Sequence, residues 1–240
     1  MTITTAMLLA AGLGTRMKPL TDTRPKPLIE VAGRTLIDRV LDKLATQGVT
    51  RAIVNVHYLP DMLAAHVTQR TDIEIIISDE RDEVLETGGG VIKALPLLGD
   101  DPFFVINTDV TWATVGDSTF SDMAAAYDAA RMDALLLLAP MENTLGFRGP
   151  GDFYLASDGQ VERRGERATA PYVFAGTHIT RADLLRSYEA TRFSANIYWN
   201  AFASRERLFG TVMSPFWMHV GDPAGRDEAE ARLALMGPGA

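Results

Sequence analysis

The segment from Leu8 to Leu28 has the sequence LLAAGLGTRMKPLTDTRPKPL, which is rich in glycine, proline and basic residues and almost free of apolar ones after Leu13. It begins within the apolar run Ala6 to Ala11, which is typical of a buried strand. In folds built on parallel strands, ligands bind at the carboxyl ends of the strands, and the loop after the first strand is a frequent site. The segment therefore predicts a first strand followed by a ligand-binding loop.

Strand-like and helical patterns alternate over the residues that follow. Apolar runs predict strands at 51–58, 73–80, 102–110 and 133–140, and amphipathic or glycine-led segments predict helices at 35–49, 59–70, 88–98 and 121–132. Thr35 and Asp38 form a predicted capping pair, and Gly48 a predicted helix end. Near-continuous apolar strands that alternate with helices predict an α/β fold, doubly wound, with a mostly parallel central sheet.

The pattern changes after Gly146. An Asp158-Gly159 turn between alternating segments predicts a β-hairpin, which we expect to form a small lid over the binding edge of the sheet. A helix is predicted at 181–190, a strand near 210–220 and a closing helix from Pro223. There is no internal repeat or linker, so residues 1–240 are expected to form a single domain.

Composition narrows the function classes. The chain of 240 residues has 23 Lys and Arg against 31 Asp and Glu, a net charge of −8 that argues against a nucleic-acid partner. It has no cysteine, which excludes disulfides and thiolate metal sites and fits a reducing compartment. No apolar stretch is long enough for a signal peptide or a membrane span, so we expect a cytoplasmic protein without a membrane partner.

The loop after the first strand fits neither of two common phosphate-binding templates. A dinucleotide motif would need glycine where Met17 stands, and a P-loop fails because Lys18 is followed by Pro19. What remains is a glycine loop whose cations are Arg16, Lys18, Arg24 and Lys26. Pro25 and Pro27 stiffen the backbone, which predicts that Lys26 lies on a rigid extended segment. A solvated basic loop is the alternative, but cations and glycines after a buried strand favour the binding of a phosphate chain.

Five segments in order carry a resemblance to one family. They are LAAGLGTRMKPLT (9–21), RPKPLIEVAGRTLIDRVLDKL (24–44), LETGGGVIKALPLLGDDPFFVINTDV (85–110), YVFAGTHI (172–179) and FWMHVGDPAGRDEAEARL (216–233). The chain resembles the sugar-1-phosphate nucleotidylyltransferases, especially the branches that act on N-acetylmuramate 1-phosphate or mannose 1-phosphate. The resemblance is strong to Val110 and looser from Thr111 to Ala170. It implies a Rossmann-like, GT-A-like fold, with a nucleotide-binding half at 1–110, a sugar-phosphate half at 111–240 and a sugar-binding hairpin lid.

The resemblance implies roles for the first loop. Arg16 would stabilise the triphosphate and the leaving pyrophosphate, and Lys26 would contact the phosphate under attack. Backbone groups would hold the nucleotide at Ala10, Ala11, Gly12, Gly14 and Thr15. The implied reaction is an in-line attack of a sugar-1-phosphate oxygen on the α-phosphate of a nucleoside triphosphate. Because the nucleophile is already an anion, catalysis would consist mainly of positioning and charge stabilisation.

Two further segments complete the implied nucleotide site. At the start of a helix, Glu86 and Gly89 would recognise the base, although these glycines could instead serve close packing. After a buried strand, Thr108 would contact the nucleotide and Asp109 would bind Mg²⁺ or Mn²⁺, whereas the plain alternative for Asp109 is a cap. Glu86 suits uracil and guanine equally.

The second metal ligand is where the sequence departs from the family. The family has aspartate in DVGT, whereas this chain has HVGD, with His219 at that position and Asp222 three residues later. Either His219 binds the metal, Asp222 replaces it, or the metal binds more weakly. Family position also implies a sugar pocket at Gly151, Asp152, Gly176 and Asn196, although turn and cap duty explains Asp152 and Asn196 equally well.

The resemblance leaves three hypotheses for function. The first is a uridylyltransferase that joins UTP and N-acetylmuramate 1-phosphate in peptidoglycan recycling. The second is a guanylyltransferase for mannose 1-phosphate or a related heptose. The third, favoured only by His219, is a nucleotide-sensing protein without turnover. Each has a nucleoside triphosphate or a sugar 1-phosphate as partner, and a monomer or a small homo-oligomer is expected.

Overall fold

The computed structural model describes residues 2–113 and 116–236. In chain order the elements are β1 (Thr5–Leu9), β2 (Glu30–Val31), β3 (Arg34–Thr35), α1 (Leu36–Thr46), β4 (Arg51–Val56), α2 (Pro60–Val67), β5 (Glu74–Asp79), α3 (Glu86–Leu98), β6 (Phe103–Asn107), β7 (Val110–Ala113), α4 (Thr119–Ala126), β8 (Ala134–Pro140), β9 (Thr144–Leu145), β10 (Phe153–Leu155), β11 (Val161–Arg163), β12 (Tyr172–Thr180), α5 (Asn196–Ala203), β13 (Leu208–Val212), β14 (Phe216–His219) and α6 (Pro223–Met236). Among these described residues, no helix is both long enough and apolar enough to cross a bilayer.

A nine-stranded sheet organises the molecule. Its main order is β11-β10-β12-β6-β1-β4-β5, and β8 pairs with β12 and β13. The strands β6, β1, β4 and β5 are mutually parallel, as are β8 and β13. Helices cover both faces, because Leu8, Val54 and Ile106 pack in one core cluster while their neighbours in the same strands pack in another. The predicted α/β fold is confirmed.

The sheet is more mixed than the sequence predicts. β12 runs antiparallel to both β6 and β8, and the hairpin β10–β11 extends the same sheet. A parallel neighbour needs a long crossover connection, whereas this hairpin and β12 follow one another through short turns. The hairpin predicted around Asp158-Gly159 is therefore present, but as one edge of the main sheet.

Local signals in the sequence match the observed helix ends. The backbone N–H of Asp38 donates to the Thr35 hydroxyl at 3.2 Å, and that hydroxyl donates to the Asp38 carboxylate at 2.7 Å. Gly48 has φ +92°, as expected of a residue that ends a helix. The predicted helices at 59–70 and 121–132 form as the shorter α2 and α4.

Two predicted elements in the second half are wrong. The helix predicted at 181–190 is a 3₁₀ turn at Ala182–Leu184, and its continuation is held by i→i+3 bonds such as that from the Tyr188 N–H to the Leu185 carbonyl. The single strand predicted near 210–220 is two strands in different sheets, β13 and β14. Pro215 separates them, since it lacks the N–H that a continuous ladder needs.

A three-stranded sheet in the order β7-β14-β9 completes the fold. β14 runs antiparallel to β7 and aligns His219 with Val110. The Val220 N–H donates to the Asp109 carbonyl at 2.8 Å. The second half of the chain thereby reaches the carboxyl end of β6, where the candidate site lies.

Candidate active site

A cleft of about 440 Å³ opens at the carboxyl ends of β1 and β6, where the fold class predicts a ligand. It is bounded by the loop after β1, the start of α3 and the segment before α5. The residues that line it are Leu9, Ala10, Ala11, Gly12, Arg16, Lys26, Pro27, Asn55, Val84, Glu86, Thr87, Asn107, Thr108, Asp109 and Ser194. All three residues predicted to be catalytic, Arg16, Lys26 and Asp109, are among them.

Lys26 and Asp109 form an ion pair in this cleft. The Lys26 Nζ lies 2.7 Å from the Asp109 Oδ2, and the side chains are 13% and 26% exposed. The prediction that Lys26 is extended is wrong, because Pro25 is extended but Lys26 begins a 3₁₀ turn at Lys26–Leu28. Burial raises the pKa of the Asp109 carboxyl, but the Lys26 ammonium and the His219 imidazole outweigh it and hold that pKa well below its usual range. Asp109 is therefore an anion beside a fixed cation.

His219 lies on the other side of Asp109. Its Nε2 is 3.5 Å from the Asp109 Oδ2, and its ring is stacked on Trp217 with an interplanar angle of 5°. Gly221 makes room for this ring, because a Cβ there would lie 2.5 Å from the His219 Cε1. Stacking and the small neighbour fix the imidazole next to the carboxylate.

Asp222 has a different role from the one that the sequence left open. Its Oδ1 accepts from the Gly225 N–H at 2.8 Å, at the start of α6. The carboxylate is thus used as a helix cap, as aspartate at this position commonly is. The structure favours His219 over Asp222 as the group that faces Asp109.

The backbone N–H groups of Ala10 and Ala11 already have a hydrogen-bond partner within the protein. Both N–H groups donate to the Asn55 Oδ1, at 2.6 and 3.2 Å. The buried Asn55 side chain thus occupies these two backbone donors, and the predicted nucleotide contact of Ala10 and Ala11 stays a prediction for their other backbone atoms. Ala10 and Ala11 line the cleft, but only their other atoms are open to a ligand.

The two loop glycines differ. A Cβ on Gly12 would meet no atom within 4 Å, so protein packing does not require glycine there and the space next to it is open. Gly14 has φ +62°, and a Cβ on it would lie 3.0 Å from the side chains of Lys26 and Thr21. Gly14 therefore shapes the loop around Lys26, and neither it nor the exposed Thr15 lines the cleft.

Gly89 at the start of α3 fits the alternative that its glycine serves close packing. A Cβ on it would lie 1.9 Å from the Thr191 carbonyl oxygen, and its N–H donates to the Phe193 carbonyl at 3.2 Å. It permits close packing of the 191–193 segment, and it does not contact the cleft. Glu86 does line the cleft, and its Oε1 accepts from the Arg192 Nε at 2.9 Å. Thr108 lines it as well, and its hydroxyl donates to the Leu9 carbonyl at 3.0 Å.

The four predicted sugar residues lie outside this cleft. Gly151 packs against the Ala170 carbonyl, where a Cβ would lie 2.1 Å from the oxygen. Asp152 accepts from the Phe174 N–H at 3.0 Å, and Asn196 from Arg163 at 2.9 Å. Gly176, with φ +85°, packs beside Asn107, which does line the cleft. The turn and cap interpretation therefore explains Asp152, whereas Gly176 and Asn196 each contact a residue that lines the cleft, Asn107 and Ser194 respectively.

Several cleft residues were not predicted. Asn55 interrupts the apolar run at 52–56 of β4, which is a visible signal. Thr87, Asn107 and Ser194 had no such signal. Their placement depends on how distant segments meet.

The site offers few metal donors of its own. Within 2–113 and 116–236, no three His, Cys, Asp or Glu side chains are grouped closely enough to hold a metal ion. Asp109 and His219 are a pair whose donor atoms are close enough to face one ion. Mg²⁺ is typically bound by one or two carboxylates and completes its shell with substrate phosphates and water. The Asp109 carboxylate fits such an ion, and the His219 imidazole is a less usual second ligand for it.

Comparison with known proteins gives consistent results. Residues 5–149 match the family model described as Nucleotidyl transferase. The chain is 46% identical, over 95% of its length and 96% of the relative's, to the N-acetylmuramate alpha-1-phosphate uridylyltransferase of Caulobacter vibrioides. It is 30% identical to the mannose-1-phosphate guanylyltransferase catalytic subunit beta of Danio rerio, over 91% of this chain and 61% of that one. The crystal structure of HddC from Yersinia pseudotuberculosis complexed with GMP-PN shares the fold, with a TM-score of 0.77, 22% identity and coverage of 96% and 100%.

Proposed function

The chain belongs to the nucleotidyl transferase family, and we propose that it transfers a uridylyl group from UTP to N-acetylmuramate α-1-phosphate. The products are UDP-N-acetylmuramate and pyrophosphate. The observation that carries this proposal is the 46% identity to a uridylyltransferase of this kind over nearly the full length of both chains. The cleft with its Lys26–Asp109 pair supports the chemistry.

The reaction is a displacement at phosphorus. A phosphate oxygen of the sugar 1-phosphate attacks the α-phosphorus of UTP, a new P–O bond forms, and the bond between that phosphorus and the oxygen bridging to the β-phosphate breaks. Pyrophosphate leaves with the bonding electrons. The nucleophile is an anion at neutral pH, so no side chain has to remove a proton. The protein must hold the two phosphates in line and offset their charge.

The cations of the cleft supply that offset. Lys26, held on its turn beside Asp109, is positioned to contact the phosphate under attack. Arg16 lines the cleft, and its planar guanidinium group can donate several hydrogen bonds to the β- and γ-phosphates and to the departing pyrophosphate. Gly12, whose Cβ position is open, lets the chain approach the nucleotide.

We assign Mg²⁺, or Mn²⁺, as the cofactor, held by Asp109 and His219 together with the nucleotide phosphates. When bound, the ion neutralises phosphate charge in the transition state. Asp109 suits this duty because the pKa of its carboxyl is held low. His219 suits it because stacking on Trp217 fixes its ring.

A second candidate is transfer of a guanylyl group from GTP to mannose 1-phosphate or a related heptose 1-phosphate. The 30% identity to a mannose-1-phosphate guanylyltransferase subunit supports it, although this chain spans only 61% of that relative. The third hypothesis, a nucleotide sensor without turnover, is disfavoured because Arg16, Lys26 and Asp109 all line one cleft.

We also propose a cytoplasmic monomer or small homo-oligomer, in which 1–110 binds mainly the nucleotide and 111–240 mainly the sugar phosphate. The division is not strict, since Ser194 of the second half lines the nucleotide cleft. Size-exclusion chromatography with light scattering tests the oligomeric state.

The decisive experiment is pyrophosphate release from each pair in a panel of UTP, GTP, CTP and dTTP with N-acetylmuramate, N-acetylglucosamine and mannose 1-phosphates. We expect release with UTP and N-acetylmuramate α-1-phosphate to exceed every other pair. Preference for GTP and mannose 1-phosphate would establish the second candidate, and no release with any pair would leave the sensor hypothesis.

A further inference from the structure

A chain of buried hydrogen bonds connects the two walls of the cleft. At one end the N–H groups of Ala10 and Ala11 donate to the Asn55 Oδ1. In the middle the Asn55 Nδ2 donates to the Glu80 Oε1 at 2.7 Å. At the other end the Leu85 N–H donates to the Glu80 Oε2 at 3.3 Å. Two side chains thus join the loop after β1 to the residue that precedes α3.

Both side chains of this pair are out of solvent. Asn55 is 2% exposed and Glu80 is 0% exposed. The Glu80 carboxylate accepts from an amide and a backbone N–H, without a cation in hydrogen-bond contact among the described residues. Burial raises the pKa of this carboxyl, which shows that its charge is costly to hold there. Well-packed apolar residues would commonly serve stability better, so the polar pair calls for another explanation.

α3 packs directly against the pair. A Cβ on Gly90 would lie 2.8 Å from the Asn55 Nδ2 and 2.9 Å from the Glu80 Oε1. The helix can approach the sheet this closely only because position 90 has no side chain. The pair therefore sets the spacing between α3 and the strands that carry the loop.

The ends of the chain of bonds lie at the nucleotide site. Ala10 and Ala11 line the cleft, and Leu85 stands between the lining residues Val84 and Glu86. The Phe193 N–H donates to the Leu85 carbonyl at 3.2 Å, which links the same network to the segment before Ser194. Each wall of the cleft is thereby attached to the Asn55–Glu80 pair.

We propose that Asn55 and Glu80 are positioning residues that fix the width of the nucleotide cleft before the nucleotide binds. The inference rests on the proposed function, because it takes a nucleoside triphosphate as the occupant of this cleft. The pair acts through the backbone of the loop and of the α3 start, since the polar atoms of Asn55 are already committed. Preorganised walls favour binding because less ordering is needed when the ligand arrives.

The hydrogen bond from Asn55 to Glu80 can be removed by single substitutions and restored, with donor and acceptor exchanged, by a double substitution. All the substituted side chains have nearly the same shape as the originals. Asn55→Asp sets a second carboxylate against Glu80. Glu80 now accepts hydrogen bonds from the Asn55 amide and from the Leu85 N–H. In Glu80→Gln the new NH₂ group is itself a donor, and it faces one of these two donors. In the double variant N55D/E80Q, the new carboxylate accepts from the loop amides and from the new amide nitrogen at position 80. The new amide oxygen then accepts from the Leu85 N–H, so every bond is restored with the same net charge.

Calorimetry on the full chain measures the binding of UTP, GTP, CTP and dTTP, and the nucleotide that binds the wild type is used for the variants. We expect each single variant to bind that nucleotide about tenfold or more weakly, because a buried partner is left unsatisfied. The KM for the sugar 1-phosphate should stay unchanged, and the double variant should recover most of the nucleotide affinity. If the pair were purely structural, the single variants would have a lower melting temperature, but nucleotide affinity and the KM for the sugar 1-phosphate would not respond differently.

Asp133→Asn is the matched control. Asp133 is also a buried carboxylate, 3% exposed, but it pairs with Arg207 just before β8, at the end of the sheet away from the cleft. We expect Asp133→Asn to have a lower melting temperature than the wild type but the same nucleotide affinity. If a single variant fails to fold, Gly90→Ala provides the test. Its added Cβ would displace the Asn55 and Glu80 side chains without removing a polar group, so we expect weaker nucleotide binding.

The outcomes separate the two proposals. If no nucleotide binds the wild type, the proposed function itself fails. If a nucleotide binds and the single variants and Gly90→Ala bind it equally well, or if the double variant is as weak as the singles, the positioning inference alone is overturned.

Discussion

The Lys26 Nζ lies 2.7 Å from the Asp109 Oδ2, although the two residues come from a turn after the first strand and from the end of the sixth. Each neutralises the other until substrates arrive. In the proposed reaction the cation contacts a phosphate and the carboxylate a metal, and the ion pair keeps both side chains in place before the substrates bind. This pairing is the centre of the proposed site.

Removing the cation should abolish most of the turnover. We expect Lys26→Met to lower kcat by about 10²–10³-fold, the typical loss when a group that stabilises transition-state charge is removed. Pyrophosphate release measures the rate, and thermal melting monitors the fold. Lys43→Met is the control, because Lys43 forms a similar half-buried pair with Asp117 at 2.8 Å outside the cleft. Equal losses of kcat in both variants would contradict the role of Lys26.

His219 should govern the metal requirement. We expect His219→Ala to raise the Mg²⁺ concentration needed for half-maximal activity, because one of two protein donors is lost. His219→Asp should lower it again, since a carboxylate oxygen is a better donor for Mg²⁺ than an imidazole nitrogen. The measurement is activity against free Mg²⁺ at saturating substrates, with Mn²⁺ in parallel. Identical metal curves for all three proteins would rule out a ligand role for His219.

Two glycines should respond in opposite ways. Gly12→Ala should keep its stability, because its Cβ would meet no protein atom, but should raise the KM for the nucleotide. Gly89→Ala should lose about 1–3 kcal/mol of stability by overpacking, because its Cβ would lie 1.9 Å from the Thr191 oxygen. Urea unfolding and steady-state kinetics distinguish them. A stability loss in Gly12→Ala equal to that in Gly89→Ala would mean that Gly12 is a packing residue.

A buried histidine should make the fold sensitive to acid. His178 is 2% exposed, its Nε2 lies 3.1 Å from the Tyr198 hydroxyl, and burial lowers its pKa to about 3. The unfolded chain, with an ordinary histidine pKa of about 6.5, therefore binds a proton that the folded chain does not. Between these values stability falls as the pH falls, by up to about 1.4 kcal/mol per pH unit from this residue.

The test compares urea unfolding of the wild type and His178→Gln from pH 6.5 down to pH 4.5. Glutamine has no proton to gain in this range, so the variant should lose less stability over the interval. Parallel curves would show that His178 is not the group responsible.

The sequence predicts the parts of the fold that depend on local signals. Patterns within short segments predict the Thr35–Asp38 cap and the strands β1, β4, β5 and β6. The rule that parallel strand ends meet at one edge places Arg16, Lys26 and Asp109 together. The prediction of a helix at 181–190 also rests on a local signal alone, and it is wrong. Its apolar spacing is compatible with a helix, but tertiary packing keeps Ala182 and Leu185 buried in successive tight turns.

The rest of the site depends on long-range register. The amides of Ala10 and Ala11 are occupied only because β4 pairs with β1 and brings Asn55 beside the loop. Gly89 packs against Thr191 only because a segment a hundred residues away folds back onto α3. A single sequence marks such residues as unusual, as with a polar Asn55 in an apolar strand, but does not identify their partners.

The small sheet β7-β14-β9 has a consequence for synthesis on the ribosome. His219 reaches Asp109 only when β14 has paired with β7, and β14 is the last strand to be made. The parallel strands that carry the first loop and Asp109 are translated much earlier. A nascent chain that stops before Phe216 therefore lacks the imidazole beside Asp109, and it also lacks Met218 and Val220, which pack in one core cluster with Met17 of the first loop.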